Sequence, residues 1–259
     1  MPKIILQNVS KIFKTKAGQK TVLAEVNLEI PDGSFTILTG ESGAGKSTLL
    51  NIIGGLELPT SGEVVIGERK IAALSAKART DFYRHEVGFV FQGFYLQPQL
   101  TLAENIALPG VFANVGKAEA DQRTAELAKM LGIEEVLERK PEAVSGGQVE
   151  RACIARALFM HPKIILADEP TNNLDPKNAE NVVGLFREVW EQTGATTIIA
   201  SHDERFFRAA DRVLRVAGGE VTEERRGDGS FSEEKDAREL GGASEGGRDL
   251  SDLGAEEGE

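Results

Sequence analysis

One run of nine residues, Gly40 to Thr48 (GESGAGKST), limits what this chain can fold into more than any other feature. It follows the pattern Gly, four residues, Gly-Lys-Ser, and lies between a strand-like apolar run, Phe35 to Thr39, and a helix-like run, Ser47 to Ile53. Strand, glycine turn and helix in that order aim closely spaced backbone N–H donors and a helix N-terminus at an anion. Gly40, Gly43 and Gly45 keep side chains out of the way, and Glu41, Ser42, Ala44 and Thr48 complete the loop. Lys46 has the charge to neutralise the outer phosphates of a nucleoside triphosphate, and Ser47 offers a hydroxyl to Mg2+.

Ile164, Ile165 and Leu166 read as a buried parallel strand that ends in Asp168 and Glu169, the edge where open α/β sheets carry their chemistry. Alternation along a strand predicts that the two acids face opposite ways. Asp168 is then expected in the Mg2+ shell and Glu169 beside an attacking water, as its general base. A further segment, Ser145-Gly146-Gly147-Gln148, opens a helical stretch from Val149 to Met160, so it forms a second set of donors at a helix N-terminus. One nucleotide rarely needs two cradles. The second is expected to cover the nucleotide of a partner copy, two chains closing head to tail over two ATP molecules.

With these motifs, residues 3 to 221 resemble the ATP-binding-cassette family. The resemblance implies an α/β fold: a P-loop (RecA-like) nucleotide-binding core, an antiparallel β layer and an inserted α-helical lobe. It implies ATP hydrolysis with Mg2+, coupled to a separate membrane permease. It also implies that Phe13 stacks on adenine, that Gln92 senses Mg2+ and the membrane partner, that Asp175 lies in the loop crossing the dimer interface, and that His202 contacts the γ-phosphate. Some positions depart from the family pattern: Phe13 stands for a Tyr, Val144 for a Leu, Val149 and Glu150 for glutamine-like residues, and Asn172 for a small residue. The stretches Val87 to Pro109 and Asp168 to Asp175 look like the lipoprotein-releasing, macrolide-export and cell-division group. That points to export, lipoprotein extraction or force transmission. A nutrient importer is the alternative reading. A soluble cassette ATPase on ribosomes or DNA fits less well, because Lys46 and Ser145 are only 99 positions apart, without room for a long coiled-coil insertion.

The loop from Gln92 to Pro98 carries Phe94, Tyr95, Leu96 and Pro98, apolar for a surface segment and suited to receiving the permease. No apolar run reaches the ~18 residues of a membrane span, so the chain is expected in the cytoplasm, peripheral on the inner face of the cell membrane. Cys153, the single cysteine, falls within the apolar pattern of its helix and reads as a packed thiol. His85 and His161 read as structural or surface residues.

Residues 1–222 form the expected cassette domain, with the helical lobe at about 94–160. Val26, Leu28 and Ile30 alternate as a strand, Val87 to Phe91 reads as another, and Ala118 to Leu131 as an amphipathic helix. Asp175-Pro176 supplies a cap and first-turn proline for a helix packing Val182, Val183, Phe186, Val189 and Trp190. From Glu223 to Glu259 there are 13 acidic and 5 basic residues, which leaves the body with a net charge of only −3. This tail is too poor in apolar residues to fold and is expected to be disordered. Neither body nor tail carries the basic footprint of a nucleic-acid binder, so no nucleic-acid partner is expected.

Overall fold

Two sheets of different construction share the molecule, and the glycine loop lies where they meet. The computed structural model describes residues 2–16, 18–93, 95–172 and 174–225. In chain order the elements begin with strands β1 (Ile4–Thr15), β2 (Gly18–Ile30) and β3 (Phe35–Thr39), helix α1 (Lys46–Ile53), strands β4 (Ser61–Ile66) and β5 (Arg69–Lys70), helix α2 (Ala76–Glu86) and strand β6 (Val87–Val90). Three helices follow, α3 (Leu102–Phe112), α4 (Lys117–Leu131) and α5 (Gly146–Leu158). The chain then alternates through β7 (Ile164–Asp168), α6 (Pro176–Thr193), β8 (Thr196–Ala200), α7 (Glu204–Ala209), β9 (Arg212–Ala217) and β10 (Glu220–Arg225).

The first sheet, in the order β2-β1-β4-β5, is antiparallel throughout. The second runs β10-β9-β3-β8-β7-β6; every pair in it is parallel except β9 with the edge strand β10. Its inner strands are apolar on both faces because both are covered. Leu38, Leu166 and Ile198 pack with α1 and the antiparallel layer. Ile37, Ile165 and Ile199 pack with α6 and the helical lobe. Ala200 pairs with both Leu38 and Asp168, so β3, β8 and β7 end level, and the loops that leave them emerge side by side.

The α/β core, the antiparallel layer and the inserted helices are those expected of the sequence. Within the expected helical lobe, about 94–160, the first helix begins at Leu102. The helix opened by the signature turn Ser145-Gly146-Gly147-Gln148, the signature helix, starts at Gly146, three residues before the expected Val149, because Ser145 caps it. The strand into the loop ends at Val90, one residue short of Phe91. Tail disorder was expected from Glu223, yet Glu223 to Arg225 belong to β10: Glu223 pairs with Leu214 and bonds the guanidinium of Arg212. Cross-strand pairing and that ion pair override the acidic composition there. Residues 226–259, with most of the predicted tail, lie outside the described residues.

Candidate functional site

The loop after β3 is built so that backbone, not side chain, meets the ligand space. Gly40 has φ 141°, and a Cβ there would stand 2.2 Å from the carbonyl oxygen of Val216. Gly45, the cap of α1, has φ 111° and leaves that helix with no side-chain cap. Lys46 is buried, and its Nζ donates to the carbonyls of Gly40 at 2.8 Å and Glu41 at 3.2 Å. The same Nζ lies 3.4 Å from Oε1 of Glu169.

The alternation expected of Asp168 and Glu169 does not hold. Strand β7 stops at Asp168, and Glu169 takes φ 46°, a left-handed conformation unusual for a residue with a side chain. Its N–H donates to the carbonyl of Ala200 at 2.8 Å, which pins the turn to the end of β8. Both carboxylates therefore reach neighbouring residues of one loop, Asp168 meeting Ser47 and Glu169 meeting Lys46. Burial holds the Asp168 carboxyl above the usual carboxylate range; the Ser47 hydroxyl pulls it back, the Glu169 charge adds to the rise, and Lys46 opposes it. Oδ1 of Asp168 is buried with no hydrogen-bond partner among the described residues. A buried orphan oxygen beside a serine hydroxyl fits a hard cation such as Mg2+. No group of three His, Cys, Asp or Glu that could hold a metal occurs among the described residues. A cation here would have to be completed by phosphate oxygens and water, the habit of Mg2+.

His202 follows β8, and its Nδ1 is 2.9 Å from Oε2 of Glu169, so the Glu169 carboxylate is held from both sides, by His202 and by Lys46. Loop, Glu169, His202 and Gln92 line a cavity of about 570 Å³ together with Gly40, Glu41, Ser42, Gly43, Gly45, Ser47 and Thr48. Lys20, Val22 and Asn172 line it too, and the sequence reading missed all three as site residues. Lys20 enters because it pairs with Phe13 across β1 and β2, a register that no local pattern announces.

Other expected site residues stand apart from this cavity. Phe13, the cross-strand partner of Lys20, has an exposed ring, the ammonium of Lys11 4.9 Å from its centroid. Ala44 packs against the core under the loop. Ser145 and Gln148 bond each other reciprocally, the Ser145 hydroxyl accepting from the Gln148 N–H and the Gln148 amide oxygen from the Ser145 N–H. Gly146 and Gly147 make the first turn of α5 between them. Asp175 caps α6 by accepting from the N–H groups of Asn178 and Lys177, and the backbone and side-chain amides of Asn178 hold its carboxyl below the usual range.

The loop at Gln92 to Pro98 is divided. Leu96 is buried in the core of the helical lobe, against the docking role expected of it, whereas Tyr95 and Pro98 are exposed; Phe94 lies outside the described residues. Tyr95 borders a groove of about 730 Å³ with Phe91, Leu108, Phe112 and Met160, and the carbonyl of Tyr95 accepts from Arg156 at 2.6 Å. Cys153 is buried and its thiol is pushed up to about 12 by that burial. His85 and His161 are exposed. Among the described residues no helix is long and apolar enough to cross a membrane.

Comparison with known proteins places these features in one family. The ABC transporter family pattern matches residues 23–172. The lipoprotein-releasing system ATP-binding protein LolD of Myxococcus xanthus is 37% identical over 86% of this chain and 100% of its own length. The putative hemin import ATP-binding protein HrtA of Staphylococcus epidermidis is 40% identical over 84% of this chain and 98% of its own. Among solved structures, a dimer of the ATP-binding cassette MJ0796 in a post-hydrolysis state with ADP and Pi superposes with a TM-score of 0.80 at 41% identity, covering 88% of this chain and all of that one.

Proposed function

We propose, from the premise that this chain belongs to the ABC transporter family and is an ATP-hydrolysing subunit of such a transporter, that two copies close head to tail over two ATP molecules and thereby drive a separate membrane permease. The observation that carries the dimer is the pair of unlike helix ends. The N-terminus of α1 faces its own chain's cavity, while Ser145 and Gly147 at the N-terminus of α5 line none of it. The α5 donors serve an anion held by a second copy, and the likeness to a dimeric cassette supports this. Asp175, exposed at the start of α6, is assigned to the loop that crosses between the copies, and Phe13 to the adenine ring.

In the reaction Glu169 takes the proton of the attacking water. Its left-handed backbone aims the carboxylate over the loop, and His202 holds Oε2 so that Oε1 stays toward Lys46. Lys46 exchanges the carbonyls of Gly40 and Glu41 for phosphate oxygens, and His202 reaches the γ-phosphate from the same side. Ser47, Asp168 and Gln92 would hold Mg2+, which when bound supplies positive charge against the phosphate oxygens. The backbone of the glycine loop keeps its donors fixed, so stabilising the developing charge costs little reorganisation.

The permease docks on the groove beside Tyr95 and Phe112, whose aromatic and exposed lining suits an inserted helix, and this holds the subunit peripheral on the inner face of the membrane. The work is export, lipoprotein extraction or force transmission, a reading supported by Val87 to Pro109 and by the likeness to LolD. Import of a nutrient is the second reading, favoured by the likeness to HrtA. The membrane protein that co-purifies with this chain in detergent separates them: a large extracytoplasmic domain supports force transmission, an associated substrate-binding protein supports import. Light scattering tests the dimer. Glu169→Gln with ATP is expected to dimerise, and adding Ser145→Arg to abolish the dimer; a dimer that persists sinks the head-to-tail arrangement.

A further inference from the structure

Glu150 lies in the second turn of α5, five residues beyond the cap Ser145, and is only 2% exposed. Neither of its carboxyl oxygens has a hydrogen-bond partner among the described residues. Burial pushes the group up to about 8, with the neighbouring Arg151 cation opposing the rise, which favours its neutral form. A neutral carboxyl is both a donor and an acceptor, and a buried one without partners calls for an explanation.

The surroundings supply one. Glu150 borders a small cavity of about 60 Å³ with Cys153 of α5, Phe91 and Gly93 of the loop after β6, and Glu169 and Asn172 of the loop after β7. That space admits water, whose share of liquid volume is about 30 Å³ per molecule, and Glu150, Glu169 and Asn172 bring polar groups to its border. The other ionisable group on the wall, the Cys153 thiol, is held protonated by burial. Glu169 is fixed by Lys46 and His202, but each carboxylate oxygen accepts more than one bond, so it keeps the capacity for a further one. Glu150 thus joins α5, five residues beyond its cap, to a cavity that Glu169 also borders.

We propose that Glu150 is a positioning residue for hydrolysis: through water held in this cavity its carboxyl ties the signature helix to Glu169, so that the seating of the helical lobe sets the aim of the base. The proposal rests on the reading of Glu169 as the base. A tie of this kind acts on the transition state and not on nucleotide binding, so its loss appears in kcat and leaves KM in place.

ATP turnover of the full chain as Glu150→Met, Glu150→Gln and Glu169→Gln tests it. Methionine fills the space without hydrogen bonds and is expected to lower kcat by ~10-fold with KM for ATP unchanged, in line with the cost of a misaligned catalytic group. Glutamine keeps a donor and an acceptor and is expected to stay within about threefold of the parent. A Met variant with parental kcat, or a Gln variant that loses as much as Met, overturns the proposal. Should the Met variant fail to fold, a high-resolution crystal structure of the parent decides: ordered water joining Glu150 to Glu169 supports the tie, and a dry cavity refutes it. Retained turnover in Glu169→Gln instead removes the base assignment itself, whereas a dead Glu169→Gln beside an unaffected Glu150→Met removes the tie alone.

Discussion

The helix starts of α1 and α5 both carry glycines and both present backbone N–H groups, yet they are finished in opposite ways. At α1 the cap is Gly45 in a left-handed conformation, with no side chain to take the first N–H groups. At α5 the cap is Ser145, whose capping box with Gln148 already satisfies a donor at each side of the turn. An open end depends on its anion to complete it, and the cavity beside α1 holds the charged groups for that anion. A self-capped end keeps its shape alone. It is a preformed surface, suited to meeting an anion that another molecule brings.

If that contrast is right, damage around α1 should strike chemistry hardest. Glu169→Gln is expected to lower ATP turnover by ~10²- to 10⁴-fold while ATP binding persists, because the amide cannot accept the water's proton. Turnover within twofold of the parent would remove Glu169 as the base.

Lys46→Ala should come next, weakening ATP binding by roughly 10- to 100-fold, the span of a lost charge-assisted bond, with turnover falling as well. The affinity is read by titration with ATP. An unchanged dissociation constant would mean that the buried ammonium serves only the carbonyls of Gly40 and Glu41.

The α5 side is probed through stability. Glu150 ionises at about 8 in the fold against an ordinary 4.5, so the stability attached to its neutral form is fully present below about 4.5 and is lost as pH rises to about 8. Glu150→Gln lacks this dependence. Its melting temperature should therefore gain on the parent's across that window, at most by the equivalent of roughly 1.4 kcal/mol per pH unit. Parallel melting curves from pH 5 to pH 8 would show that Glu150 is not held neutral.

The smallest effect belongs to the cap. Ser145→Ala should cost about 1 kcal/mol, the usual worth of a serine cap. Thermal melting without nucleotide reads it, and no loss would mean that α5 does not depend on its capping box.

Much of this fold is legible residue by residue. Phe35 to Thr39 and Ile164 to Leu166 are strands because their apolar runs are buried on both faces, and Asp175-Pro176 starts α6 because an acceptor and a preset φ suit a helix entry. Every residue from Gly40 to Thr48 except Ala44 lines the cavity, so most of one wall comes from a single stretch of sequence. Contacts made across the chain were not legible. Leu96 turned inward because the helical lobe offered it a core, and Lys20 reached the site only through its pairing with Phe13. Glu223 to Arg225 became a strand because β9 offered an open edge and Arg212 a cation.

By itself the sequence determined the phosphate-binding loop, the strand and helix that flank it and the acids at the end of β7, since each depends on residues adjacent along the chain. Only the tertiary structure decided how those acids face. Glu169 takes a left-handed turn, with its N–H bonded to the carbonyl of Ala200, that strand alternation cannot foresee, and Asp168 and Glu169 both reach the glycine loop. It also decided that Glu150 shares a cavity with Glu169, because α5 and the end of β7 meet only when the helical lobe closes on the sheet. Local propensity acts over a few residues; packing joins residues far apart in the chain, where no pattern in the sequence records the contact.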